Sequence, residues 1–174
     1  MTIAQERLAK RFEKWDVNGD GVLEPSDFVT EAANIARAFG ETPESAKGKQ
    51  LRDGFTAMFD LLADKAGASA QGQINRAQFL QAAGEVVEGG AATFNPVLGP
   101  VTKGIVALAD KNNDGVIDEA EFAAWLGAIG LDEQAGRAAF QQIDSDKDGS
   151  LSETELLDAV RKFHTGELDV ELLG

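Results

Sequence analysis

Three times along this chain an apolar stripe of helical period runs into an acidic, glycine-bearing turn and resumes beyond it. Leu8, Phe12 and Trp15 stand eight, four and one residues before Asp16, on one face of a helix. Phe28, Val29, Ala32, Ile35, Ala36 and Phe39 then continue as a second amphipathic helix, which Gly40 ends. The plan recurs at Asp110, led by Ile105, Val106 and Leu108 and followed by Phe122, Trp125 and Leu126. It recurs again at Asp144, between Phe140 and Ile143 on one side and Leu156, Leu157, Val160 and Phe163 on the other. A fourth outline lies between the first two, with Phe55, Phe59 and Leu62 before a polar turn and Phe79, Leu80 and Val86 after it.

Signals at the ends of these stretches sharpen the outline. Thr2 followed by Gln5 has the form of a capping box. Thr42-Pro43 reads as a helix start, with Thr as N-cap and Pro in the first helical position. Gly130-Leu131-Asp132 reads as one helix stopping and Asp132 capping the next. The segment Glu88–Lys103 holds two prolines and several glycines and is expected to join two halves. Phe94, Val97 and Leu98 favour a turn packed against the protein there over a free linker.

The three acidic turns share one grammar. DVNGDGVLEPSD (Asp16–Asp27), DKNNDGVIDEAE (Asp110–Glu121) and DSDKDGSLSETE (Asp144–Glu155) each read D-x-[DN]-x-D-G, with a carboxylate six residues after the glycine. That is the spacing of the twelve-residue EF-hand calcium loop. Calcium is a hard cation that takes six to eight oxygens, and a short loop wraps it only by turning sharply at the sixth residue. Gly21, Gly115 and Gly149 stand there, where a positive φ is needed.

The candidate metal ligands follow by alternation. In the first loop they are Asp16, Asn18, Asp20, the carbonyl of Val22, Glu24 and Asp27. In the third they are Asp110, Asn112, Asp114, the carbonyl of Val116, Asp118 (directly or through water) and Glu121. In the fourth they are Asp144, Asp146, Asp148, the carbonyl of Ser150, Ser152 (directly or through water) and Glu155. Glu121 and Glu155 are long enough to offer both oxygens, and they fall three residues after Asp118 and Ser152, as capping boxes require. Asp27 is one methylene shorter, which predicts a smaller cage, less selective for calcium over magnesium, with Glu24 approaching directly to compensate.

The second outline, GASAQGQINRAQ (Gly67–Gln78), keeps Gly72 and Ile74 at the sixth and eighth positions, but Gly67, Ser69, Gln71 and Gln78 stand where acids should be. It is expected to be metal-free and to serve as partner to the first hand. Leu23 should face Ile74, and Ile117 should face Leu151, in short antiparallel strands. The expected fold is all-α: four EF-hands in two paired lobes packed into one globule. Residues 1–90 would hold the N-terminal pair, the second hand silent, and residues 91–174 the C-terminal pair, both active, with a short tail.

Composition agrees and narrows the function. The formal charge is −14, and twelve of the 30 acids lie at the ligand positions above. Such a balance repels nucleic acid and anionic membranes but suits cations. There is no cysteine, which removes disulfides, thiolate metal sites and thiol nucleophiles. No apolar run approaches the roughly 18 residues that span a bilayer. The N-terminus has no signal-peptide core, and Thr2 excludes a myristoylation signal. A monomeric, cytoplasmic protein is expected. The single histidine, His164, reads as a favourable charge at a helix C-terminus rather than a catalyst, so no enzyme is expected.

Four hands, the second silent, a long gap after the first and Asp27 closing the first loop together resemble the sarcoplasmic calcium-binding protein family, its bacterial branch above all. The resemblance implies a compact, mostly helical protein whose two lobes pack together and which buffers calcium and magnesium. The expected function is therefore an intracellular buffer with three calcium sites at which magnesium competes. The alternative is a sensor that exposes an apolar groove to a target protein. With only two methionines, Met1 and Met58, the chain lacks the adaptable surface of many sensors. The tail, with Leu168, Val170, Leu172 and Leu173, is either disordered or folded back over apolar surface.

Overall fold

The computed structural model describes residues 1–173. Among them are α1 (Ile3–Trp15), β1 (Val22–Leu23), α2 (Pro25–Ala38), α3 (Ala46–Lys65), β2 (Ile74–Asn75), α4 (Arg76–Glu88), α5 (Ala91–Ala109), β3 (Ile117–Asp118), α6 (Glu119–Ala128), α7 (Glu133–Ile143), β4 (Ser150–Leu151) and α8 (Glu153–Thr165). The fold is thus all-α, four helix–loop–helix hands with two minimal strand pairs. No helix among the described residues is long and apolar enough to cross a membrane.

Helix starts follow the side chains that satisfy the first free N–H groups. Thr2 and Gln5 cap α1 reciprocally, and Asp132 accepts the Ala135 N–H at 2.7 Å to open α7. Thr42-Pro43 does not start α3, contrary to its sequence signature. Ser45 caps that helix instead, accepting the Gly48 N–H at 3.0 Å, while Thr42 and Pro43 form a turn laid over the first helical turn. A Cβ on Gly48 would lie 2.4 Å from the Thr42 carbonyl oxygen, so the glycine is what admits this close turn.

Each pair of hands is tied by its strands. Leu23 pairs with Ile74 and Ile117 with Leu151, and all four side chains are fully buried beneath their loops. Under the first pair, Trp15 packs edge-on against Phe28, Phe55 and Phe79, with ring centroids 5.3 to 6.2 Å apart. Under the second, Phe122 lies 6.0 Å from both Trp125 and Phe140. Eight of the ten phenylalanines are buried, Phe39 and Phe163 being the partly exposed two. Val29, assigned to the inner face of α2 by periodicity, is exposed.

The proline-bearing segment corrects the expectation of a turn. Residues 91–109 form a continuous helix through Pro96 and Pro100, and only Gly89 and Gly90 separate it from α4. Gly90, with φ +75°, turns the chain, and the Phe94 N–H bonds to its carbonyl at 3.0 Å. Each proline forfeits one helical hydrogen bond. Burial outweighs that loss, because Phe94, Val97, Leu98, Val101, Ile105 and Leu108 form one apolar face. That face docks on α3 at close range. A Cβ on Gly54 would meet the Pro100 carbonyl oxygen at 2.6 Å, and one on Gly104 would meet the Leu51 Cα at 2.9 Å.

The tail folds back. Leu172 and Leu173 are buried, the Trp125 indole N–H donates to the Leu172 carbonyl at 3.0 Å, and Arg11, itself buried, pairs with Glu171 at 2.5 Å. Arg7 holds the same segment, donating to the carbonyls of Phe163 and Leu168 and to Asp169. The gap left in the apolar interior by Leu173, His164 and their neighbours on α1, α3, α4 and α5 measures only ≈ 20 Å³. That is room for about one water.

His164, not Phe163, is the inward residue at the end of α8, and this overturns its reading as a favourable helix-terminal charge. Its Nδ1 lies 2.8 Å from the Val160 carbonyl, and burial holds its pKa below the ordinary 6.5. The Val160 carbonyl and Glu171 press it upward, and Arg11 and Arg7 press it down with burial. A folded-state pKa below the unfolded one means that the unfolded chain takes up the proton first, so stability falls as pH drops below 6.5 and levels off beneath the folded pKa. Calcium-saturated protein should accordingly lose thermal stability from pH 7.5 to 5.5, whereas His164→Gln should show a flatter profile over that window. Parallel profiles would mean that His164 titrates alike in both states.

Candidate metal centres

In the first, third and fourth hands the entering helix hands its axis to the loop at an aspartate. Asp16, Asp110 and Asp144 are the C-caps of α1, α5 and α7. One carboxylate oxygen of each turns back to accept the N–H of the sixth residue, Gly21 at 2.9 Å, Gly115 at 2.9 Å and Gly149 at 3.0 Å. The third residue closes a further turn: Asn18, Asn112 and Asp146 accept the N–H of the fifth, each at 3.2 Å. The fifth in turn accepts the N–H of the seventh, as Asp20 does from Val22 at 3.1 Å. Alternate side chains are thereby drawn to one side of the backbone, which is the arrangement a cation requires.

Two left-handed residues per loop make this curl possible, and spacing pointed to only one. The sixth-position glycines have φ of +82° to +85°, and the fourth position is left-handed too, at Gly19, Asn113 and Lys147. Gly19 was the available clue. Asn113 carries the conformation at modest strain, whereas Lys147 at φ +58° is an uncommon occupant.

The twelfth residues divide the sites. Glu121 spans its loop, with Oε2 accepting the Lys111 N–H at 2.6 Å and Oε1 the Asp118 N–H at 3.1 Å. Glu155 does the same with Ser145 (2.9 Å) and Ser152 (3.0 Å), and also accepts both of their hydroxyls at 3.1 Å. Asp118 and Ser152 return the bond to the N–H of Glu121 and Glu155, completing the expected capping boxes. Asp27 is only 2 % exposed, and its Oδ2 accepts the Glu24 N–H at 2.8 Å. The carbonyl-bearing residues lie at the strands, Val22 in β1, Ser150 in β4 and Val116 just before β3.

Within the loops the candidate ligands converge to different degrees. Carboxylate oxygens of Asp110, Asp114 and Glu121 lie within 4.8 Å of one another, and so do those of Asp144, Asp146 and Asp148. The acids of the first loop form no cluster of that tightness among the described residues. Instead Asn18 Nδ2 donates to Asp20 at 3.1 Å, and Asp27 sits against the helix start.

Charge crowding leaves its mark. Burial pushes the Asp27 carboxyl up, against the N–H groups of Glu24 and Asn18, with Asp16 and Asp20 adding to the rise. The Asp148 N–H draws Asp146 down, but desolvation and the Asp144, Asp148 and Glu155 carboxylates raise it on balance. The Ser150 N–H and hydroxyl hold Asp148 low. Desolvation acts to raise Glu155, and the Ser152 and Ser145 donors outweigh it. The donor set is all oxygen, mostly carboxylate, and Asp144 Oδ1 is buried without a hydrogen-bond partner. Three like charges held together around an unpartnered buried oxygen fit a divalent, oxygen-seeking cation.

The second hand closes its loop by other means. Gly72 keeps a positive φ (+66°), but its N–H bonds the backbone carbonyl of Ala68 at 3.2 Å in place of a first-position carboxylate. The left-handed turn moves from the fourth position to Gly67, where α3 stops, and the Ala68 N–H bonds the Ala63 carbonyl at 2.8 Å. Asn75 and Gln78 cap α4 reciprocally, as the ninth and twelfth residues do in the third and fourth hands. The loop is therefore self-sufficient, with backbone groups doing the work of the missing acids.

Comparison with known proteins agrees with this geometry. The model of the EF hand family matches residues 8–30, 107–126 and 137–160, which contain the sixth-position glycines of the first, third and fourth loops. Calerythrin of Saccharopolyspora erythraea is 48% identical over 173 residues, which cover 99% of this chain and 98% of that protein. Among solved structures, a calcium-binding protein of Streptomyces coelicolor described in terms of calcium-mediated regulation is similar with a TM-score of 0.73. It is 29% identical, and the match covers 93% of this chain and 98% of that one. Calcium-loaded apo-aequorin from Aequorea victoria shares the fold at a TM-score of 0.72 and 18% identity, over 94% of this chain and 90% of its own.

Proposed function

The chain belongs to the sarcoplasmic-type EF-hand calcium-binding proteins, the family of calerythrin, and from that premise we propose that it is a cytoplasmic buffer holding three divalent cations. Calcium binding by EF hands and a non-enzymatic role come with the family. The number of sites, their competition by magnesium and the buffering role are our own inference. The metals would be held by the residues named above in the first, third and fourth loops, as counter-charges that relieve the crowding of carboxylates. Residues 1–90 and 91–174 would act as two pairs, the silent hand serving the first as structural partner, and the protein would work as a monomer.

One observation carries the choice of buffer over sensor. A sensor offers a target an apolar groove when it binds calcium. Here Leu173 of the chain's own tail already lines the apolar space beside α1, α3, α4 and α5, Leu172 is buried with it, and the Trp125 indole is tied to the Leu172 carbonyl. The sensor reading has support of its own in the regulatory description of the Streptomyces coelicolor relative. Equilibrium dialysis and a dye that reports apolar surface discriminate between the two. A buffer should hold three Ca²⁺ per chain, release them partly to millimolar Mg²⁺, and bind no more dye with calcium than without. Fewer than two tightly held ions would overturn the site assignment, and a large calcium-induced rise in dye binding would replace the buffer by the sensor.

The first site should be the least selective. Asp27 reaches less far than Glu121 or Glu155 and is already engaged by the Glu24 N–H. A six-oxygen cage suits magnesium better than a seven-oxygen one does. Asp27→Glu should raise the preference of that site for calcium over magnesium several-fold, as measured by competition titration. An unchanged magnesium affinity would refute the cage-size explanation.

A further inference from the structure

The register of β1 on β2 places Val22 opposite Asn75 and Leu23 opposite Ile74, so the next pair along is Glu24 and Gln73. There the silent hand reaches into the first loop: Gln73 Nε2 donates to Glu24 Oε1 at 2.5 Å. The equivalent pairs between the third and fourth hands make no such contact. Ser150, opposite Asp118, turns its hydroxyl to Asp148 of its own loop at 3.0 Å. Val116, opposite Ser152, has no side-chain donor.

Glu24 also differs from its counterparts in what it does locally. Asp118 and Ser152 spend a side-chain oxygen on the N–H of the twelfth residue. In the first hand the Asp27 N–H bonds the Glu24 backbone carbonyl at 3.0 Å, and the Asp27 carboxylate accepts the Glu24 N–H at 2.8 Å. The Glu24 carboxylate alone among the ninth-position side chains is held from across the sheet. A carboxylate accepts on both oxygens, so the amide on Oε1 leaves Oε2 able to serve a cation.

We propose that Gln73 of the silent hand is a positioning residue for the first metal site, fixing Glu24 so that this longer ninth-position carboxylate makes up for the short Asp27. The inference rests on the reading that the first loop holds a cation through Glu24 and Asp27. Fixing the carboxylate in advance removes part of the ordering cost of binding. The silent hand then contributes a side chain to the first site as well as a strand, without ligating a metal itself.

Site-resolved calcium titration of ¹⁵N-labelled protein tests this, since the N–H groups of Gly21, Gly115 and Gly149 each bond the first carboxylate of their own loop. In Gln73→Met, close in size but without a donor, the Gly21 midpoint should move about tenfold to higher calcium, as for other second-layer partners of metal ligands. The Gly115 and Gly149 midpoints should stay. In a Glu24→Gln background the same substitution should add nothing. A common shift of all three glycines, or a further shift in the Glu24→Gln background, would make Gln73 a structural residue only and overturn the proposal. An unmoved Gly21 midpoint would overturn it while leaving the first site intact. A wild-type Gly21 that ignores calcium would instead remove the first site and the inference with it.

Discussion

Glu155→Gln should lower the calcium affinity of the fourth hand roughly 100-fold or more, since even partners one layer behind a ligand are worth about 10- to 100-fold. Two losses combine. One unit of negative charge leaves the cage, and the amide nitrogen cannot accept the hydrogen bonds that both oxygens now take from the N–H groups and hydroxyls of Ser145 and Ser152. Whichever way the amide turns, its NH2 group faces one backbone N–H, while the hydroxyl beside it can rotate to accept. The start of α8 should hold, since glutamine closes the same capping box in α1 and α4. The disturbance should cross the sheet, where fully buried Leu151 faces Ile117 of the third loop. The third site should weaken by about fivefold, the lower end of ordinary coupling between sites. Glu121→Gln should act in mirror image. Calorimetric titrations in which the untouched neighbour binds as in the wild type would show that the strand pair does not carry the coupling.

Ending the chain after Gly166 should cost about 3–6 kcal/mol of stability, at 1.5–3 kcal/mol for each of the two buried leucines. For the two leucines this is an upper bound, since the unfolded chain already buries some apolar surface. Arg11, 2 % exposed, would lose its ion pair with Glu171, and breaking a buried pair adds to the loss. The shortened protein should bind an apolar-surface dye with and without calcium and should unfold at clearly lower denaturant. An unchanged midpoint and no gain in dye binding would mean that the tail adheres to the surface without completing the core. If the truncated chain fails to fold, Leu172→Ala with Leu173→Ala makes the same comparison more gently.

Much of the candidate site could be read from the chain because EF-hand loops are local. Asp16, Asp110 and Asp144 reach their partners within five residues, and Glu121 and Glu155 reach theirs within ten. The second hand was legible for the same reason, since Gly72 and Ile74 hold their register without acids. Errors arose where a local signal competed with packing. Pro96 and Pro100 argued for a turn, yet the spacing of Phe94, Val97, Leu98, Val101, Ile105 and Leu108 already described a helical face. Thr42-Pro43 gave a helix start that Ser45 took instead. His164 read as a favourable helix-terminal charge, because nothing near it in sequence revealed that Phe94, on another helix, would lie beside it.

The amino-acid order by itself determined the four hands, most helix caps and the identity of the oxygen-bearing loops, because each depends on side chains a few residues apart and on glycines where the backbone must turn. Tertiary structure alone decided how closely α3 and α5 approach at Gly54 and Gly104, what the tail covers, that Arg11 and His164 are interior, and that Gln73 touches Glu24. These contacts join residues far apart in the chain, so their free energy resides in shape and burial, and no short stretch of sequence carries it.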